Sequence, residues 1–191
     1  MGSETDSSSR RPRADAIRNR ERLIAAATQV FGKGAAQASL EAVAREAGVG
    51  IGTLYRHFPT REALFEAVYR HEVDQLGELA EQLAREAPPT EALRSWLHAN
   101  IRLAATKRGM VEALQLAAYR SDLKAYSFER LTHALGLLLA RGVEMGDFRA
   151  DISAEDLLRT MVGALYADGP GDWQAAALRI MDVFVDGLMR R

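Results

Sequence analysis

Apolar residues recur at intervals of three and four along almost the whole chain, and glycine or proline stands at nearly every break in that rhythm. This spacing lines one face of a helix and cannot line one face of a strand, so it fixes the class of fold first. Ile17, Ile24, Ala27 and Phe31 mark a first helix closed by Gly32-Lys33-Gly34. Ser39 is placed to cap a second, carrying Leu40, Val43, Ala44 and Ala47. Gly48-Val49-Gly50 breaks the chain tightly, and residues 51–58 form a short helix that Pro59 must stop. Thr60 then caps a long helix to about residue 85, roughly 39 Å at 1.5 Å per residue.

Pro88-Pro89 ends that stretch, and Thr90 is expected to cap a helix through residue 107. A short helix over 110–118 follows, then one from Ser121 to Arg141-Gly142 and a loop over 146–152. Ser153-x-x-Asp156 reads as a capping box with Asp in place of Glu, opening a helix to residue 167. A turn over 168–172 leads to a last helix over 173–189. With no strand pattern and no repeat of fixed period, the fold is expected to be all-α, with about nine helices.

A chain of 191 residues suits one large domain or two small ones. Hydrophobic residues make up 48% and charged residues 27%, a globular balance with no apolar run long enough to span a membrane. Residues 1–13 are Ser-rich and charged without an apolar core, unlike a secretory signal, and are expected to be a disordered arm. No cysteine is present, which excludes disulfides and thiolate metal sites. A cytoplasmic location is the expectation. The net charge of −1 hides an asymmetry: residues 1–60 carry nine Lys/Arg against six Asp/Glu, and the remainder sixteen against twenty. Six arginines and two acids fall between Arg10 and Arg22 alone, which points to a local polyanionic partner.

The short helix decides what that partner is. On a helical wheel Ile51, Leu54 and Phe58 fall on an inward side, with Gly52, Thr53 and Arg56 opposite and Tyr55 and His57 on the flanks. A front of small residues permits close approach to another surface. Arg56 matches a guanine edge or a phosphate, Thr53 offers a hydroxyl and a methyl, and Tyr55 and His57 are placed to donate to flanking phosphates. Arg61, at the start of the next helix, is a further phosphate ligand. Together with the preceding helix this makes a helix-turn-helix over 39–58, whose second helix enters the DNA major groove.

The stretch "RLIAAATQVFGKGAAQASLEAVAREAGVGIGTLYRHFPTREALFEAV" resembles the TetR family of bacterial regulators, through its AxxxF, LxxVAxxAGV and GTLYxHFxTREAL segments. The resemblance covers about the first third of the chain. It implies a DNA-binding domain over 14–76 and a ligand-binding and dimerisation domain over 77–191. Ser39 and Tyr55 are then expected phosphate contacts, and His57 a backbone contact. Ile51, Gly52 and Thr53 take groove-facing positions, and Arg61 stands where the family often has lysine. Base readout is then expected to lean on Arg56, Thr53, Arg45 and the basic arm. The resemblance further implies a double-stranded operator as partner, bound by a repressor that a small-molecule effector releases.

Other chemistries lack their parts. No nucleophile–base–orienter set, G-x-S-x-G or phosphate-loop pattern occurs, and "GVGIG" follows no strand. His71, His98 and His133 are too scattered for a zinc site. Neither an enzyme, a cofactor nor a metal is expected; the alternative is an all-α interaction bundle without DNA binding.

The resemblance assigns homodimerisation to the last two helices. There Leu158, Met161 and Leu165, then Trp173, Ala177, Ile180, Phe184 and Leu188, are the candidate interface, with more than one apolar stripe for burial in the subunit and against a partner. Between these helices and the DNA-binding unit lies the expected effector region. Leu93, Trp96, Leu97, Asn100, Ile101 and Ala104 form a stripe that points the Asn100 amide into an apolar interior, where it needs a hydrogen-bond partner. Trp96, Met110, Tyr119, Tyr126, Phe128 and Met161 are the other candidates for the pocket wall.

Overall fold

The computed structural model describes residues 10–33, 38–113, 121–166 and 172–190. Among these residues eight helices run in order: α1 (Arg10–Gly32), α2 (Leu40–Glu46), α3 (Ile51–His57), α4 (Arg61–Glu86), α5 (Pro89–Ala113), α6 (Ser121–Glu144), α7 (Ala154–Tyr166) and α8 (Trp173–Leu188). Among the described residues the only β pairing is one antiparallel bridge, Phe148 to Met189, which joins the segments following α6 and α8. The chain is all-α, as expected. The arm reads differently at its end: α1 already begins at Arg10, while residues 1–9 lie outside the described ones.

Contacts divide the molecule into two units, Met1–Val68 with Thr106–Ala117, and Tyr69–Ala105 with Ala118–Arg191. In the first, α1 buries Leu23, Ile24, Ala27 and Phe31, and α2 buries Leu40, Val43 and Ala44. Ile17 does not join this core; it is 56% exposed, because the apolar stripe of α1 meets a partner only from Leu23 onward.

The expected break between residues 107 and 110 is absent, so the described residues hold eight helices rather than about nine. Helix α5 runs on through Gly109 to Ala113, and residues 114–118 lie outside the described ones. Gly109 is there for proximity rather than for a turn: a Cβ at this position would overlap the Phe31 carbonyl of α1. Helix α5 also starts earlier than expected. Pro89 takes its first position, where proline's fixed φ and missing N–H cost nothing, and the Pro88 carbonyl accepts from Ala92 N–H at 2.8 Å. Thr90 therefore lies inside the first turn rather than capping it.

In the second unit the helices pack through Leu93, Trp96, Leu97, Leu135, Leu138, Leu158, Met161, Met181 and Val185, all buried. Arg141 of α6 donates to the Ala87 carbonyl at 2.6 Å, satisfying an acceptor just beyond the end of α4. Ser153 caps α7 by accepting from Asp156 N–H at 3.1 Å, while its hydroxyl donates to the Asp156 carboxylate at 2.7 Å. Helix α8 is tied to α5 by polar side chains. Arg94 donates to Asp182 at 2.5 Å and to Asp186 at 2.8 Å, and His98 Nε2 lies 3.0 Å from Asp182.

Candidate functional site

The helix-turn-helix is built by two caps and a left-handed glycine. Ser39 Oγ accepts from Ala42 N–H at 3.1 Å and starts α2, leaving its own O–H to donate elsewhere. After Ala47 the chain turns at Gly48, whose φ of 66° is the region that a side chain disfavours. The turn is closed by Gly48 N–H to Arg45 O and Val49 N–H to Ala44 O, both 3.0 Å. Helix α3 follows after Gly50 and is stopped by Phe58, whose backbone (φ −134°, ψ 87°) leaves the helical region before Pro59. Thr60 Oγ1 then accepts from Ala63 N–H at 3.1 Å and caps α4, as expected.

Seven residues make a helix of roughly 10 Å, too short to be stable alone. It is held by Leu54 and Phe58, both buried. Ile51, expected on the same inward side, is instead 38% exposed. It occupies the first helical position, beyond the reach of the core that covers Leu54.

The expected DNA-contacting residues differ in exposure. Gly52, Tyr55, Arg56, Arg45 and Arg61 are exposed, and Thr53, His57 and Ser39 half-buried. A Cβ built on Gly50 or Gly52 would meet nothing within 4 Å, so this face stands clear of the protein. Arg56 lies along the helix, donating to Thr53 Oγ1 at 3.0 Å and to the Gly52 carbonyl at 3.3 Å. Two cations of α1 add to the set without having been singled out by sequence. Arg20 lies over the Phe58 ring at 5.2 Å, and the Arg22 guanidinium borders the turn at Gly48. Their density in the basic segment was legible; their aim at the turn was not. No residue of α3 is acidic.

The expected pocket residues are less unified. Asn100 is 2% exposed; its Nδ2 donates to the Trp96 carbonyl at 2.9 Å, and its Oδ1 is buried without a partner. Trp96 is fully buried and donates from Nε1 to the Leu76 carbonyl at 2.8 Å. Tyr126 donates to Asp74 at 2.5 Å, and burial, then that hydrogen bond, raises its pKa. Phe128 is exposed beneath the Arg159 guanidinium, at 5.7 Å, and Met161 is buried. Met110 is buried in the other unit, and Tyr119 lies outside the described residues. A cavity of about 160 Å³ between Glu72, Leu76, Leu79, Ala99, Arg102 and Leu103 is lined by none of these candidates. The same holds for a groove of about 350 Å³ beside Gly136, Leu139, Val143 and Ile152.

The candidate interface residues also separate. Leu158, Met161, Leu165, Ala177 and Leu188 are buried within the subunit, so their apolar surface is already spent. Ile180 is exposed, with Trp173 and Phe184 half-buried on the same side of α8. Val183, 67% exposed, and Gly187 extend that stripe, and Val162 adds an exposed apolar side chain on α7.

A short glycine-fronted helix, presented by a helix-turn-helix and flanked by arginines, defines the class: an all-α regulator with a nucleic-acid reading head. Residues 23–68 match the bacterial regulatory proteins of the tetR family, and residues 88–190 match the SbtR-like transcriptional regulator C-terminal domain. The TetR transcriptional regulator SCO0520 from Streptomyces coelicolor is similar at 42% identity, covering 89% of this chain and 98% of that one, with a TM-score of 0.76. A TetR transcription regulatory protein from Mycobacterium vanbaalenii is 32% identical, covering 93% and 99%, with a TM-score of 0.72. The HTH-type transcriptional repressor KstR2 of Mycolicibacterium smegmatis is 29% identical over 155 residues, 78% of this chain and 76% of that protein. The chain belongs to the TetR family: it is a transcriptional regulator and not an enzyme. No described helix is long and apolar enough to cross a membrane.

Proposed function

We propose that the chain is a cytoplasmic repressor that binds a palindromic double-stranded operator as a homodimer and leaves it when a small molecule occupies the second unit. The observation that carries the DNA reading is the outward face of α3: open glycines beside a Thr53–Arg56 pair already hydrogen-bonded together. Arg56 is thereby held along the face that enters the groove, so less of its rotamer freedom remains to be lost on binding. Tyr55 and His57 flank that face on α3, and with Ser39 at the cap of α2, Arg45 on α2 and Arg61 at the start of α4 they would supply phosphate donors.

Dimerisation through α8 and α7 is supported by the second apolar stripe, in which Ile180 and Val183 are exposed beside the half-buried Trp173 and Phe184, on a helix whose other stripe is buried. Two copies related by a two-fold axis then place two α3 helices on two half-sites. The effector is read from Asn100. A buried acceptor without a donor costs on the order of 1–3 kcal/mol, and an uncharged, largely apolar molecule bearing one O–H or N–H would remove that cost. The domains divide the labour as 14–76 for DNA and 77–191 for effector and partner.

The test is duplex binding by the purified chain, using DNA it selects from a random-sequence pool. A Tyr55→Phe, Arg56→Ala double variant with an unaltered circular-dichroism spectrum should lose at least tenfold in affinity. Full binding by that variant would end the assignment of α3 as the reading helix.

A further inference from the structure

Ile51 is an aliphatic side chain on a surface otherwise made of glycine, hydroxyl and cation. The helical wheel places it with Leu54 and Phe58, yet those two are buried and Ile51 is 38% exposed. Its neighbours Gly50 and Gly52 carry no side chain, and open space surrounds them. One turn on, Tyr55 is 46% exposed, so an apolar edge runs along α3 beside the Thr53–Arg56 pair. An isolated exposed isoleucine has no meaning by itself. This one opens the helix that carries the exposed Tyr55 and Arg56 and no carboxylate, next to Gly52 of the face proposed above for DNA.

The major groove offers hydrogen-bonding edges at every base pair but an apolar group only at the thymine 5-methyl. An isoleucine pressed against N4 of cytosine or N6 of adenine would strand a donor; against a thymine methyl it strands nothing. We infer that Ile51 is a specificity-determining residue that selects a thymine in each half-site by packing on its methyl group, while Thr53 and Arg56 read the neighbouring pair. The inference rests on the DNA-binding function proposed above. It assigns the two branches of α3 different tasks: methyl contact at Ile51, hydrogen bonding at Arg56.

Replacing thymine by deoxyuridine removes the methyl and leaves every hydrogen-bonding edge intact. The probe is the duplex that the full chain enriches from a random-sequence pool, with each thymine replaced in turn. Wild type should bind about fourfold more weakly when one particular thymine per half-site is replaced, the worth of one buried methyl, and roughly fifteenfold when both half-sites are changed. Ile51→Ala should bind the thymine duplex correspondingly more weakly and show no further loss at that position, while still responding at other positions as wild type does. Enrichment of half-sites without thymine, indifference of wild type to every deoxyuridine, or an undiminished penalty in Ile51→Ala would each overturn the inference while DNA binding stands. No enrichment of any sequence is a different result: it would remove the DNA-binding function itself and this inference with it.

Discussion

Helices α3 and α8 both turn an unusual face outward, and the two faces differ in chemistry. Helix α3 buries only Leu54 among its seven residues and exposes glycine, hydroxyl and cation. Helix α8 buries Ala177, Met181, Val185 and Leu188, then exposes a second apolar stripe through Ile180 and Val183. A helix as short as α3 takes its stability from its neighbours, so its outward residues are free to be chosen for a partner. On α8 the exposed apolar area has no favourable contact with water and gains only from being covered. One face suits a hydrated polyanion, the other a second apolar surface.

The same substitution on both faces separates these two uses. Thr53→Asp puts a carboxylate on the front of α3, where it captures Arg56 and repels phosphate. Affinity for the selected duplex should fall by a thousandfold or more, with the oligomeric state and the melting temperature near those of wild type. Val183→Asp should do the converse: sedimentation should show a monomer, and duplex binding should weaken by about a hundredfold, because the half-sites are engaged one at a time. Unaltered assembly in Val183→Asp would move the interface away from this stripe and leave the comparison with only its α3 half.

Sequence told these two faces apart unevenly, and the reason is physical. Periodicity reports which residues share a side, so Leu54, Phe58 and the Trp173–Phe184 stripe were legible. It does not report whether anything lies across from that side, and so it turned Ile51 inward and missed Val183. Glycine is ambiguous for a similar reason. Gly48 takes a positive φ, as a break should, whereas Gly109 is helical and marks the close passage of Phe31. The Asn100 amide was legible as buried; that its Nδ2 turns back on Trp96 and leaves Oδ1 without a donor follows only from the packed helices. Arg20 and Arg22 were visible as charge, and their placement over Phe58 and beside Gly48 as geometry alone.

A polar group inside the unit that carries α8 gives a smaller effect of a different kind. Asn100→Leu keeps similar volume and removes the unpartnered Oδ1, while the Trp96 carbonyl, already within α5, loses only an extra donor. The melting temperature should hold or rise by a few degrees, since the removed group contributes a penalty of about 1 kcal/mol or more. Duplex binding should be unchanged, and release by an effector found in a thermal-shift screen should need about tenfold more of it. A variant that melts lower and keeps its effector response would show that Asn100 serves the core and not the ligand.

The smallest effect concerns the polar side of α8 where it meets α5. The Arg94 hydrogen bond, with His98 beside it, holds the Asp182 carboxyl below the usual carboxylate range. A carboxylate whose folded pKa is depressed contributes stability above its unfolded pKa, near 4, and loses it as pH falls through the folded value. Asp182→Asn should therefore melt slightly lower than wild type from neutral pH down to about 5, and the two curves should converge below about pH 4. Because Asp182 is 41% exposed, solvent screens the pair and the difference should be only a few tenths of a kcal/mol, smaller still in high salt. The comparison is best made in the Val183→Asp background, where melting does not depend on subunit concentration. A gap that widened below pH 4 would mean that Arg94 does not stabilise the Asp182 charge, and that α8 is held against α5 by its buried apolar stripe alone.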